Sequence, residues 1–327
     1  MASKKTILQD PAALRRFRRR LLAWFDQSKR DLPWRVSRDP YRVWLSEIML
    51  QQTRVAAAVD HYRTFLRRFP TVVQLARARE ASVLAAWSGL GYYRRARMLH
   101  AAARKIVKDN GGRFPSTAEQ LRTLPGIGRY TAAAIASIAF GRPAAVVDGN
   151  VERVLQRILG RNLSGEPLWQ AAGQLLDERR PGDFNQAMME LGAVLCLPRQ
   201  PKCPLCPVNA LCATRGEHLR PEPPKRQRKR QIHYALQVRE CRVLLTQRPA
   251  GAALMAGMWE LPEILSPNGA EPWLTLRHSI TTTDYTVRVV KDASAPELSG
   301  HWIAHSRIKH LPLTGLARKI LRAAGII

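Results

Sequence analysis

Leu124-Pro125-Gly126-Ile127-Gly128-Arg129-Tyr130-Thr131 lies between two apolar, helix-forming stretches. Its two glycines allow a sharp backbone reversal and a close approach to a ligand. The helix that begins at Arg129 presents its unpaired N–H groups and positive dipole end to an anion, phosphate above all. The stretch therefore reads as a helix–hairpin–helix, with Gly126 and Gly128 as points of close approach to a phosphate-bearing ligand. A generic helix–turn–helix connection also uses glycine, so the turn by itself leaves both readings open.

Working outward, residues 10 to about 215 read as almost entirely helical. Apolar residues recur at three- and four-residue spacing over 43–69, 71–86 and 94–108, with breakers at Pro70, Gly89–Gly91 and Gly111-Gly112. Asp10-Pro11 followed by Leu14, Phe17, Leu21, Leu22 and Phe25 predicts an N-terminal helix whose other face carries Arg15, Arg16, Arg18, Arg19 and Arg20. An Arg-rich transit peptide is the alternative for this segment. Beyond 215 the pattern changes. Residues 221–230 (PEPPKRQRKR) have no apolar periodicity and read as a linker that can also touch phosphates. Residues 232–238 and 241–247 alternate like the strands of a hairpin around Arg239-Glu240. Residues 285–290 read as a further strand, and 313–323 as a closing helix with Thr314 at its N-cap. The expected architecture is a mainly α-helical region over 1–220, a linker over 221–230 and a small α/β domain over 231–327.

Fifty-three Lys and Arg against 25 Asp and Glu leave a net charge of +28 on 327 residues. Such an excess attracts a polyanion, and nucleic acid is the commonest inside a cell, although a generally basic proteome or ribosomal association would also produce it. No apolar run approaches the roughly 20 residues that a bilayer requires, and the N-terminus lacks a secretory apolar core. A bacterial cytoplasmic, nucleoid-associated protein without membrane contact is expected.

Cys196, Cys203, Cys206 and Cys212 follow the spacing C-x6-C-x2-C-x5-C. Clustered thiolates in a chain without secretory features indicate a soft metal rather than a disulfide framework. Zinc sites commonly pair two short C-x2-4-C knuckles, and only one short pair exists here. The uneven spacing, interrupted by Pro198, Pro201, Pro204 and Pro207, favours a loop over 196–212 wrapped round one 4Fe–4S cluster. Such a cluster can be a folding staple rather than a redox centre. Cys241, on a predicted strand, reads as a small core residue.

Asp148-Gly149-Asn150 opens an amphipathic stretch, and an N-cap is the ordinary role for such an Asp. Glu47 is flanked by Trp44, Leu45, Ile48, Met49 and Leu50. A carboxyl in apolar surroundings stays protonated near neutrality, although a solvated stripe of the helix would leave it ordinary. Taken together and in order, LPGIGRYTA, VVDGNVERVL and the cysteine loop resemble the helix–hairpin–helix DNA glycosylases of the iron–sulfur branch. WLSEIMLQQT over 44–53 resembles the adenine-removing, MutY-type members of that branch. The resemblance extends into the C-terminal domain, where AALMAGMWELP over 252–262 is similar to the opening of a Nudix-like lesion-recognition domain.

The resemblance implies a monofunctional DNA glycosylase that hydrolyses the bond to adenine opposite 8-oxoguanine or guanine in duplex DNA, acting as a monomer in base excision repair. Glu47 matches the general acid and Asp148 the carboxylate that stabilises the cationic sugar, with Tyr130 and Asn150 lining the same pocket. Lyase members carry a lysine where this chain has Tyr130, which cannot form a Schiff base. Because the reacting atoms lie inside a duplex, the nucleotide must be flipped out. Trp34 and Arg35 match contacts to the flipped nucleotide. Gln52 and Tyr92 match residues that enter the stack, although Tyr92 would equally serve as core packing. In the C-terminal domain, Ile280, Thr281 and Thr282 fall where related proteins carry Phe-Ser-His, and Thr281 retains a hydroxyl for the damaged base. No metal-binding Nudix box is present, so no pyrophosphatase activity is expected. The competing readings are an endonuclease III-like glycosylase/lyase for damaged pyrimidines and an iron–sulfur DNA-binding protein without chemistry.

Overall fold

A computed structural model describes residues 7–215, 228–249, 251–252, 254–265, 271–280, 283–292 and 298–327. The expectations for Thr281 and Thr282, and for most of the linker, lie outside the described residues. By internal contacts the chain forms two compact units, Met1–Tyr62 with Ala102–Glu222, and Arg63–Ala101 with Pro223–Ile327.

The helices in chain order are α1 Pro11–Ser28, α2 Pro40–Leu50, α3 Val55–Arg68, α4 Val72–Arg77, α5 Glu80–Trp87, α6 Arg94–Asn110, α7 Ala118–Leu121, α8 Arg129–Phe140, α9 Gly149–Leu159, α10 Gly165–Leu175 and α11 Pro181–Val194. Helices α12 His305–Ile308 and α13 Gly315–Ala323 lie near the C-terminus. Asp10 caps α1 by accepting from the N–H groups of Ala12 and Ala13, and Phe17, Leu21, Leu22 and Phe25 are buried, as their spacing predicts. Phe17 packs against Phe184 of α11 with ring centroids 6.3 Å apart. In the first unit α11 packs on α1, α8 and α9, and α2 packs on α8. These contacts bring α2, the hairpin helix and the Asp148 turn around one cleft.

Two helical expectations are corrected. The stretch 43–69 is broken: α2 stops at Leu50, Gln52 adopts a left-handed conformation at φ 54°, and α3 begins at Val55. The polar Gln51-Gln52-Thr53 segment leaves the helix to line the cleft. The stretch 71–86 divides between α4 and α5 because Ala78 and Arg79 are extended.

The strands are β1 Arg228–Leu236, β2 Val238–Arg239, β3 Arg242–Gln247, β4 Trp259–Glu260, β5 Glu263–Ile264, β6 Leu274–Ile280, β7 Thr283–Lys291 and β8 His301–Ala304. One sheet has the order β5-β1-β7-β6, with β1 parallel to β7; the other joins β2, β3 and β4, with β8 paired to β3. The long hairpin expected from 232–247 is therefore short. Only Val238 and Arg239 face Val243 and Arg242, while residues up to Leu236 pair with β7 in the other sheet. Period-two alternation identified the strands without identifying their partners. Cys241 is exposed in the turn between β2 and β3, beside left-handed Glu240, and is not a core residue. The closing helix forms as expected, with Thr314 Oγ1 accepting from the Ala317 N–H at 3.1 Å.

Candidate active site

The first unit carries a cleft of about 560 Å³ whose wall includes Trp34, Arg35, Glu47, Gln52, Tyr130, Asp148, Asn150, Met189 and Glu190. Helix α2 supplies Glu47, the start of α8 supplies Tyr130, and the turn into α9 supplies Asp148 and Asn150.

Glu47 is 7% exposed among buried Trp44, Leu45, Ile48 and Met49, so the solvated alternative does not hold. The Tyr130 hydroxyl donates to its Oε2 at 2.7 Å and lies 3.2 Å from Met189 Sδ. Burial pushes the Glu47 carboxyl up from 4.5 to about 7; the phenol and Arg35 oppose the rise, and the Asp148 charge adds to it. Burial, then the two carboxylates, raises the Tyr130 phenol well above its ordinary value, so it remains a neutral donor.

Asp148 is an N-cap that also lines the cleft. Its Oδ1 accepts from the Val151 N–H at 2.7 Å as the N-cap of α9, and its carboxylate faces the cleft. Asn150 Nδ2 lies 3.4 Å from Asp148 Oδ2. The sequence did not single out what fixes this turn. Arg153 donates to Asn150 Oδ1 at 2.8 Å, to the Gly192 carbonyl at 2.7 Å and to the Cys196 carbonyl at 2.8 Å. Gly192 is required by close approach, since a Cβ there would lie 2.6 Å from Asn150 Cβ.

Arg35 and Arg30 converge on Glu190, which no reading of the sequence identified. Arg30 Nε donates to Glu190 Oε1 at 2.6 Å and Arg35 to Oε2 at 2.8 Å, with the Glu190 side chain 1% exposed. Burial alone would raise this carboxyl, but hydrogen bonds from Arg30 and Arg35 outweigh it and hold it at about 2. The signal applied to Glu47, a carboxylate in an apolar run, is present in Met188-Met189-Glu190-Leu191 and would have found it. Trp34 is buried against Tyr62 at 5.5 Å between ring centroids and lines the cleft.

The hairpin brings Thr123 and Leu124 to Tyr130 through a turn in which only Gly126 is left-handed, at φ 74°; Gly128 is extended and caps α8. Tyr92 belongs to the second unit, where it is left-handed at φ 47° and 45% exposed, so it is not core packing.

All four clustered cysteines line a second, smaller cavity together with Arg157 and Asn209. Arg157 lies 3.3 Å from Cys196 Sγ and donates to the Leu197 and Pro198 carbonyls at 2.7 and 2.9 Å. Among the described residues no three His, Cys, Asp or Glu side chains converge as ligands of a single ion.

Residues 45–167 match the HhH-GPD superfamily of base excision DNA repair proteins. An adenine DNA glycosylase of Rattus norvegicus is 51% identical over 223 residues, covering 63% of this chain and 43% of that protein. That of Homo sapiens is 50% identical over 224 residues, covering 64% and 41%. That of Buchnera aphidicola subsp. Baizongia pistaciae is 37% identical over 201 residues, covering 60% and 57%. The chain thus spans about half the length of the curated relatives it matches. Among solved structures, a thermostable thymine-DNA glycosylase superposes with a TM-score of 0.58 at 33% identity, over 62% of this chain and 98% of that one. A trapped endonuclease III–DNA covalent intermediate superposes at 0.54 and 24% identity, over 62% and 96%, a likeness of fold. Glu47, the hairpin with Tyr130, and the Asp148 turn all fall within the matched residues 45–167, and the chain belongs to the HhH-GPD superfamily of base excision DNA repair proteins.

Proposed function

We propose that this protein is a monofunctional adenine DNA glycosylase that removes adenine opposite 8-oxoguanine or guanine from duplex DNA. The observation that carries the reading is a single cleft holding a buried carboxyl at about 7 beside a solvent-reaching carboxylate. In this reading Glu47 is the acid: it gives its proton to a ring nitrogen of the flipped adenine, and the base departs neutral. The Asp148 carboxylate offsets the positive charge that develops on the sugar. Tyr130 keeps a hydrogen bond on Glu47 through the proton transfer, and Asn150, held by Arg153, orients Asp148 and the incoming water. Tyr130 offers no amine, so no Schiff base forms and the strand is not nicked. Trp34 and Arg35 contact the flipped nucleotide, Gln52 and Tyr92 enter the stack, and Gly126 and Gly128 approach the phosphates. The net charge of +28 supports DNA as the partner.

Cys196, Cys203, Cys206 and Cys212 would hold one 4Fe–4S cluster, which supplies a structural staple. Their fit is supported by four thiols that line one cavity, with the Arg157 guanidinium beside them to balance thiolate charge. The C-terminal domain would be the Nudix-like reader of the opposite strand, with Thr281 toward the damaged base. We further propose residues 1–220, 221–230 and 231–327 as glycosylase region, linker and reader, in a monomer acting at the bacterial nucleoid. No helix among the described residues is long and apolar enough to cross a membrane.

The test is base release from duplexes carrying adenine opposite 8-oxoguanine, guanine or thymine, with and without alkali. Adenine release with strand breaks appearing only after alkali is expected. Release of a pyrimidine, or breaks without alkali, overturns the reading. Glu47→Gln should abolish release while duplex binding survives; unchanged turnover would remove Glu47 from the acid role.

A further inference from the structure

Within the second unit, the turn that carries Tyr92 is held from an unexpected direction. The Leu313 carbonyl accepts two hydrogen bonds, from Ser88 Oγ at 3.0 Å and from the Tyr93 hydroxyl at 2.8 Å. Ser88, Tyr93 and Leu313 are all buried, and Arg318 Nε reaches Ser88 Oγ at 3.2 Å. Leu313 is fixed in turn by the C-terminal core. The Trp259 N–H donates to the Pro312 carbonyl at 2.8 Å, and the Thr314 N–H donates to the Trp259 carbonyl at 2.9 Å.

Between these anchors the backbone does something a tyrosine avoids. Gly91 and Tyr92 are both left-handed, at φ 69° and 47°, a conformation that non-glycine residues hold only when their surroundings impose it. Tyr92 is 45% exposed, whereas Tyr93 beside it is 3% exposed. The residues before the turn are gripped as well: Trp87 Nε1 donates to the Gly91 carbonyl at 3.2 Å, and Arg95 donates to the Leu90 and Gly91 carbonyls. The Arg95 guanidinium also lies 5.3 Å from the centre of the Tyr92 ring. One further clamp joins the same parts of the unit, from Arg97 to the Ala256 carbonyl.

We propose that Ser88 and Tyr93 are positioning residues through which the C-terminal domain, by its Leu313 carbonyl, holds the Tyr92 turn in the conformation that projects its ring. The C-terminal domain then has a part in opening the base stack, distinct from contacts to the opposite strand. This rests on Tyr92 being a residue that enters the stack. The physical logic is that an inserted ring must stay stiff against the returning bases. A left-handed tyrosine anchored at only one side would relax to an ordinary conformation instead.

The test uses the full chain and a duplex carrying adenine opposite 8-oxoguanine, with 2-aminopurine next to the adenine. The 2-aminopurine fluorescence rises as the stack opens and is followed by stopped flow. Tyr93→Phe removes one bond and Ser88→Ala removes two, the second being that from Arg318, and each leaves the Leu313 carbonyl one donor, so the fold persists. Each should slow opening about 3- to 10-fold, the effect of one hydrogen bond acting on the opened state. In a Tyr92→Ala background the same substitutions should change nothing further, which a merely structural role would not produce. If both substitutions slow opening equally with and without the Tyr92 ring, or leave it unchanged while Tyr92→Ala slows it, the positioning role is overturned and the stack-entry reading stands. If Tyr92→Ala itself has no effect, the stack-entry reading and this inference both fall.

Discussion

Replacing Glu47 with glutamine should make the fold increasingly more stable than the parent protein as pH rises, at the same time as it removes the proposed acid. Glu47 ionises at about 7 in the folded protein against an ordinary value of 4.5. The folded value is the higher one, so below 4.5 the residue is neutral in both states and costs nothing. As pH climbs past 4.5 the unfolded chain sheds its proton while the folded chain retains it, and stability falls until pH passes about 7. The full difference of about 2.5 pKa units corresponds to about 3 kcal/mol at 1.36 kcal/mol per unit. About 1 kcal/mol of that cost is present at pH 5.5, so about 2 kcal/mol accrues between pH 5.5 and 8.5. Glutamine is neutral throughout and its carbonyl can still accept from the Tyr130 hydroxyl, so the variant escapes the cost without losing the bond. Anaerobic urea unfolding of both proteins, followed by circular dichroism at several pH values, measures the difference directly. A gap of about 1 kcal/mol at pH 5.5 widening to about 3 kcal/mol at pH 8.5 is expected. A gap that stays constant with pH, or narrows, would refute the claim that Glu47 is a carboxyl held neutral by burial.

Gly192→Ala should destabilise the fold by about 1–3 kcal/mol and reduce base release, because its Cβ would drive into Asn150; a thermal midpoint and a single-turnover rate report both. Glu190→Gln leaves Arg35 without its anion, so the guanidinium charge acts on Glu47 and lowers its carboxyl. The alkaline limb of the kcat/KM profile should then move to lower pH, and a shift upward or none would contradict the coupling. Cys212→Ser should lower the iron content of purified protein from about four per chain, whereas one zinc per wild-type chain would overturn the cluster. DNA affinity should fall steeply between low and moderate salt as phosphate contacts release counterions, and a flat response would remove the electrostatic reading.

The parts of the site that were legible in the sequence are those whose chemistry is written locally. Glu47 sits among apolar residues on a single helix, and its burial follows from that neighbourhood. Asp148 precedes an amphipathic stretch, and its capping bond to the Val151 N–H is made three residues away. What stayed hidden depends on partners distant along the chain. The burial of Glu190 could be read from its apolar neighbours, but its pairing with Arg30 and Arg35, 160 and 155 residues earlier, could not, since no periodicity registers such a meeting. Arg153 reaches Cys196, 43 residues on, and looks like any other surface arginine of a basic protein. The same limit explains the sheet. Alternation marked residues 232–238 as a strand, but the parallel partner, β7, begins more than 45 residues later, at Thr283. The left-handed turns at Gln52 and Tyr92 were illegible for another reason, since neither residue is one that ordinarily signals that conformation.

The cleft contains two glutamates that are both nearly inaccessible and yet have opposite fates, and burial therefore cannot be what distinguishes them. Desolvation raises Glu47 and Glu190 alike, and it is the largest influence on each. What differs is the company. Glu190 meets two guanidiniums whose bonds outweigh the loss of water and leave it anionic at about 2. Glu47 meets a single neutral phenol and a neighbouring carboxylate, so burial prevails and it keeps its proton to about 7. Arg35 connects the two outcomes, because its charge is spent on Glu190 at 2.8 Å and only weakly opposes the rise at Glu47. In the proposed reaction the cleft donates a proton while tolerating a second negative group, which needs its cations accounted for elsewhere, and the Arg30–Glu190–Arg35 cluster would do that. Under the proposed reaction Glu190 would then belong to the acid–base design of the cleft while staying anionic itself.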